Sequence, residues 1–171
     1  MIKIILGDIT HSPADVIVNA ANSALRGGGG VDGAIHRAAG PIIVEECKAW
    51  VKENGELPTG RAMFTSAGKL SHKGIIHTVG PVWEGGIANE DQLLAECYIN
   101  ALHIAFEKGF DSIAFPNIST GVYGFPKKDA ADVAICTVQN FLGSRKEHLK
   151  VTFVCFDQEN FDIYKSFLDE D

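Results

Sequence analysis

The chain has 171 residues, 46% hydrophobic and 22% charged, with a formal net charge of −7 and a pI near 5.3. A chain of this length buries roughly two-thirds of its unfolded surface, so it can build a core without disulfide or metal staples. The acidic balance argues against nucleic acid as a partner, because backbone affinity comes from clustered Lys and Arg. It leaves a single phosphorylated small molecule open, since main-chain amides can neutralise one.

The opening MIKIILGD is too short an apolar run for a secretory leader and meets an acid at once. No stretch reaches the ~20 apolar residues of a membrane span. Cys47, Cys97, Cys136 and Cys155 lie far apart with no C-x-x-C pair, and read as small buried hydrophobes in a reducing compartment. The expectation is a cytoplasmic protein without membrane contact, folded as one domain over 1–171.

Short apolar runs alternate with longer helical patterns. IKIIL (2–6) and DVIVN (15–19) are rich in β-branched residues and read as buried strands. A helix follows over 34–53, interrupted at Pro41, with Ile43, Cys47, Trp50 and Val51 on one face. RAMFTSA (61–67) and GIIHTV (74–79) are strands. In 90–109, Leu94, Cys97, Ala101, Leu102, Ala105 and Phe106 recur at helical spacing, and Gly109 supplies a stop. SIAFP (112–116) is a strand, and Pro126 opens a helix over 126–142. VTFVCF (151–156) is apolar on both faces, as a central strand is, and Asp157 caps a last helix reaching Leu168. Strands alternating with helices predict an α/β fold, a three-layer α/β/α sandwich around a mixed, mostly parallel sheet. With six residues ahead of Gly7, about six strands are expected. Ligands of such sheets sit beyond the carboxyl ends of the strands, so the loops there matter most.

Four of those loops carry information: Gly7-Asp8-Ile9-Thr10, NSALRGGGGVDG (22–33), PNISTGVYGFP (116–126) and Phe156-Asp157. Four adjacent glycines are costly to order. The run lacks the Gly-Lys-Ser/Thr ending of a Walker loop. Gly28-x-Gly30-x-x-Gly33 fits G-x-G-x-x-G in form, but Asn19 to Arg26 separate it from the preceding strand, so the Rossmann context is missing. Gly121 and Gly124 make a second glycine-containing loop ahead of a helix, a setting in which amides bind anions. Two such loops could clamp a diphosphate without lysine. Asn22 and Asp32 bracket the first loop and suit hydroxyl recognition and water activation. Asp32 is equally readable as an N-cap for a helix starting at Gly33, Asn22 as a turn residue, and Asp8 as a turn closer. Phe156 could stack on a base, although a Phe at a strand end is more often core. His77, within a strand, reads as a satisfied core histidine. No G-x-S-x-G elbow surrounds Ser119 and no histidine spacing suggests a metal.

Taken together, G-D-I-T (7–10), V-I-V-N-A-A-N-S-x-L (16–25), G-G-G-V-D-G-A-I-H (28–36), I-I-H-T-V-G-P-x-W (75–83) and I-A-F-P-x-I-S-T-G-V-Y-G-F-P (113–126) resemble a macrodomain of the MacroD-type hydrolase class. The resemblance covers nearly the whole chain, in order. It implies binding of ADP-ribose, with Asp8 and the Ile9 amide at the adenine and Phe156 stacked on it. It places Gly28, Gly29, Gly30 and Val31, with Ser119, Thr120, Gly121, Val122 and Tyr123, around the diphosphate and distal ribose. Asn22 and Asp32 match the catalytic pair at that ribose. The implied activity is removal of mono-ADP-ribose from acidic protein side chains and deacetylation of O-acetyl-ADP-ribose, with no cofactor and no metal. His36-Arg37 stand where the poly(ADP-ribose)-cleaving class has paired glutamates. Two other readings stay open: a non-catalytic ADP-ribose reader, and a phosphatase acting on ADP-ribose 1″-phosphate.

Overall fold

The computed structural model describes residues 1–145 and 149–168. Its strands are β1 (Ile2–Leu6), β2 (Val16–Ala20), β3 (Ala62–Thr65), β4 (Gly74–Thr78), β5 (Ser112–Phe115) and β6 (Lys150–Cys155). The helices are α1 (Gly30–Ala39), α2 (Ile42–Asn54), α3 (Glu90–Glu107), α4 (Lys127–Gly143) and α5 (Gln158–Leu168), with a 3-10 turn at Ile9–His11. The strands form one six-stranded sheet ordered β1-β6-β5-β2-β4-β3, in which only the β3–β4 pairing is antiparallel. No helix among the described residues is long and apolar enough to cross a membrane.

Both faces of the sheet are covered, which is why its central strands are largely apolar rather than alternating. On one face Ile17, Ile75 and Met63 pack against Ile35, Ala39, Ile43 and Cys47 of α1 and α2. On the other, Val16, Val18, Ile76, Phe115 and Phe153 meet α3, α4 and α5 through Leu94, Tyr98, Leu102, Ala134, Val138 and Tyr164. The three layers expected from the alternation are present. The interruption at Pro41 is present too: α1 ends at Ala39, Gly40 adopts φ +89°, and α2 begins at Ile42.

Some boundaries and burials differ from the sequence expectation, each for a local reason. Helix α1 starts at Gly30 rather than Gly33, so Asp32 lies in its first turn, and the N-cap position is Gly29 with no side-chain bond. Strand β6 stops at Cys155, and Phe156 projects from the sheet edge 86% exposed instead of joining the core. Cys136 sits on the outer face of α4 and is exposed, while the other three thiols are buried; all four are unpaired. Phe106, at the end of α3, is exposed beside Arg145, whose guanidinium lies 5.1 Å from its ring centre. Asp157 does cap α5, accepting the Asn160 N–H at 2.8 Å.

The strand order reverses between β5 and β2. From β2 the chain turns to the α1–α2 layer, and from β5 to the opposite layer, so their carboxyl ends part and leave a crevice. The two glycine-containing loops spring from these two strands.

Candidate active site

A cleft of about 900 Å³ opens at that switch point. All of the site residues read from the sequence line it: Asp8, Ile9, Asn22, Gly28, Gly29, Gly30, Val31, Asp32, Ser119, Thr120, Gly121, Val122, Tyr123 and Phe156. Arg37, Gly80, Lys127, Asp157 and Asn160 line it as well.

The first loop is built from within. The Asn22 side chain donates to Gly27 O at 2.9 Å and accepts from Arg26 N at 3.3 Å, tying the glycine run to the end of β2. Its second N–H is not used in these bonds. Gly27 and Gly30 hold φ of +82° and +57°, which a side chain would resist. Gly29 has an extended backbone, and a Cβ there would meet nothing within 4 Å; the same space surrounds Gly7 and Gly121. These three cleft glycines are therefore not demanded by the fold, and what they provide is bare backbone facing the cleft. In α1 the first intrahelical bond runs from Gly33 N to Gly29 O, which leaves the N–H groups of residues 30–32 at a helix N-terminus beside that backbone.

The second loop closes on itself, with Phe125 N–H donating to Ser119 O and Gly124 N–H to Gly121 O. The N–H groups of residues 120–123 lie outside these closures. Ser119 holds φ +68°, an uncommon state for a residue with a side chain, and its buried hydroxyl has no partner among the described residues. Tyr123 is anchored by Trp83 N–H, which donates to its carbonyl at 2.8 Å.

At the far end Asp8 accepts from Thr10 N at 2.9 Å and Thr10 Oγ1 at 2.7 Å, both through Oδ1. The Thr10 hydroxyl in particular holds its carboxyl below the ordinary range, so Asp8 is ionised with Oδ2 available as an acceptor. The turn closer and the ligand-facing acid are thus compatible in one residue. Phe156 stands alongside, exposed. Lys127 is engaged by Glu159 at 2.6 Å.

Asp32 is 6% exposed yet reaches the cleft. Its Oδ1 accepts from Asn19 Nδ2 at 2.8 Å and lies 3.3 Å from His36 Nε2. Its Oδ2 lies on the Gly28 side, 3.4 Å from where a Cβ of Gly28 would stand. The sequence assigns neither Asn19 nor His36 a role at this carboxylate. His36 follows Asp32 by four positions on one helix, a spacing that places them on one face. Asn19 was hidden as one polar residue in a strand otherwise buried and apolar. His77, read as a satisfied core histidine, is fully buried with both ring nitrogens hydrogen-bonded, to Asn19 and Thr65.

The Macro domain family model matches residues 18–134. The chain is a macrodomain. O-acetyl-ADP-ribose deacetylase of Escherichia fergusonii is 54% identical over 167 residues, covering 98% of this chain and 94% of that protein. The Escherichia coli K12 protein of the same name is 51% identical over the same span. Among solved structures, an Oceanobacillus iheyensis macrodomain with ADP superposes with a TM-score of 0.93 at 47% identity, covering 97% of this chain and 88% of the other. A Trypanosoma brucei macrodomain in complex with ADP-ribose gives 0.89 at 36% identity, covering 98% and 68%. The six-stranded α/β/α sandwich of this macrodomain is therefore the fold of its family. The named deacetylases, similar over nearly their whole length, are hydrolases.

Proposed function

We propose that this macrodomain binds ADP-ribose in the cleft and hydrolyses esters on its distal ribose. Its substrates are O-acetyl-ADP-ribose and proteins carrying mono-ADP-ribose on acidic side chains. In this reading Asp8 Oδ2 and the Ile9 amide take the adenine edge, and Phe156 covers its face. The bare backbone of Gly28–Val31 and the loop Ser119–Tyr123 takes the diphosphate, and Asn22 holds a ribose hydroxyl. Asp32 Oδ2 accepts a proton from a water whose oxygen adds to the ester carbon. The bond from that carbon to the ribose oxygen then breaks, the ribose oxygen takes up the proton that Asp32 had gained, and the acid leaves with Asp32 ionised again. Positioning by the two loops supplies much of the rate gain, and a general base contributes typically ~10²–10⁴-fold. Four unpaired cysteines are consistent with a reducing, cytoplasmic setting.

The observation that carries this reading is Asp32 itself. It is a buried carboxylate with one oxygen held by Asn19 and the other toward the cleft, between two backbone-lined loops that suit a diphosphate. The relatives named deacetylases support the ester as the reacting bond. Release of acetate from O-acetyl-ADP-ribose, and of ADP-ribose from a glutamate-modified protein, tests it. Wild type should turn over both and Asp32→Ala neither. A wild-type protein that binds ADP-ribose and cleaves nothing is a reader.

A further inference from the structure

We infer that Thr65 and His77, neither of which reaches the cleft, act through Asn19 as positioning residues that fix which oxygen of Asp32 faces the ribose. The inference rests on the ester-hydrolase reading above. The sheet register makes the chain of contacts. Asn19 on β2 pairs directly with His77 on β4, and Thr65 on β3 is the diagonal neighbour of His77, two residues beyond its partner Met63. All three point to the side of the sheet occupied by α1, where Asp32 lies.

The directions of the hydrogen bonds follow from counting protons. The Thr65 hydroxyl has one, and donates it to Ser66 O at 2.9 Å. Toward His77 Nε2, also 2.9 Å away, it can only accept, so the His77 ring carries its proton on Nε2. Nδ1 is then bare and accepts from Asn19 Nδ2 at 3.0 Å. The other N–H of that amide goes to Asp32 Oδ1 at 2.8 Å. Turned over, the amide would set its own oxygen against a carboxylate and a bare ring nitrogen, so the neutral ring locks it. The cost is visible: buried Asn19 Oδ1 has no partner among the described residues, an acceptor forgone so that both N–H groups can be aimed. Burial keeps the His77 ring uncharged, so with its one proton on Nε2 it offers Nδ1 to Asn19 as an acceptor. With Oδ1 of Asp32 engaged by Asn19 and faced by His36, Oδ2 is left as the working oxygen.

Steady-state hydrolysis of O-acetyl-ADP-ribose by Thr65→Val, His77→Phe and His77→Asn, with ADP-ribose titrations on each, tests the inference. Thr65→Val removes the acceptor that sets the His77 tautomer, and should lower kcat about 10-fold with KM and ADP-ribose affinity within about twofold. His77→Phe should lower kcat by about 10²-fold, since a misplaced reacting group costs that much. His77→Asn can turn a carbonyl oxygen to Asn19 and should restore kcat to within about threefold of wild type. Unchanged kcat in either Thr65→Val or His77→Phe overturns the inference. So does a loss of ADP-ribose affinity that matches the loss of kcat, which would make these residues mere supports of the cleft. If His77→Phe does not fold, Thr65→Val and His77→Asn decide. A wild-type protein inactive on the ester sinks the hydrolase reading and this inference with it, whereas an active wild type with normal Thr65→Val sinks this inference alone.

Discussion

Gly33 lies against the carbonyl of Gly28 so closely that a Cβ at position 33 would stand 2.4 Å from Gly28 O. The first turn of α1 and the glycine run are therefore in backbone contact, and the loop takes its shape from the helix behind it. Gly33→Ala should raise intrinsic helix stability by up to ~1 kcal/mol. Overpacking against backbone, which costs about 1–3 kcal/mol, should win. The expected outcome is a lower Tm together with weaker ADP-ribose binding, read by thermal unfolding and calorimetric titration.

Gly29→Ala separates the two effects. Its backbone is extended and its Cβ would enter open cleft, so the fold has no reason to resist it. The Tm should stay within the spread of ordinary surface changes, about ±0.5 kcal/mol. ADP-ribose affinity should fall by at least about 10-fold, because the added methyl takes the place of the approaching diphosphate. Equal affinity in titration would remove this loop from the ligand site.

Phe156→Ala addresses the other end of the cleft. A side chain 86% exposed contributes little to folding, so Tm should again hold. Stacking of a base on an aromatic ring is worth about 1–3 kcal/mol, which predicts a loss of about 5–150-fold in ADP-ribose affinity. Binding of ribose 5-phosphate, which has no adenine, should be unchanged by the same substitution.

Stability should carry the mark of His77. Burial, reinforced by nearby His36 and opposed by Asp32, pushes its pKa from 6.5 down to about 3. The unfolded chain therefore takes up the proton first as pH falls, and folding loses stability from about pH 6.5 down to about pH 3. From pH 7 to pH 5 this group alone should cost about 2 kcal/mol. Asp8, held down by the Thr10 hydroxyl, and Asp157, held down by the Asn160 N–H, add losses only nearer pH 4 and below. Denaturant unfolding at pH 5 and 7 checks the slope, and His77→Asn should flatten it by about that amount.

The residues that the sequence made legible are those whose chemistry is local. A glycine run that meets a phosphate motif only in form, an acid two residues behind it, and a second glycine-containing loop on another strand are visible as spacing, and Gly28, Gly29, Gly30, Asp32 and Gly121 line one cleft. The strand and helix assignments came from apolar runs whose periodicity the two-sided burial of the sheet imposes. What stayed hidden depends on register. Asn19, Thr65 and His77 sit in three strands that read as core, and only the pairing of β2 with β4 and of β4 with β3 joins them. Nothing in spacing distinguishes a polar residue buried for its own hydrogen bonds from one buried to hold another. Helix α1 starts earlier than expected because Gly30 enters it from the left-handed region, a state that propensity arguments assign to turns. The end of β6 is placed one residue too far by the sequence because Phe156, an apolar residue continuing an apolar strand, carries no sign of where the sheet ends.

The most direct measurement takes Asp32→Asn, which keeps the shape of the carboxylate and removes its capacity to accept a proton. On one preparation, turnover of O-acetyl-ADP-ribose and the Kd for ADP-ribose are determined beside wild type. Asp32→Asn should lower kcat by about 10²–10⁴-fold with Kd within about threefold. Turnover equal to wild type, or a loss of binding as large as the loss of turnover, would rule out Asp32 as the general base.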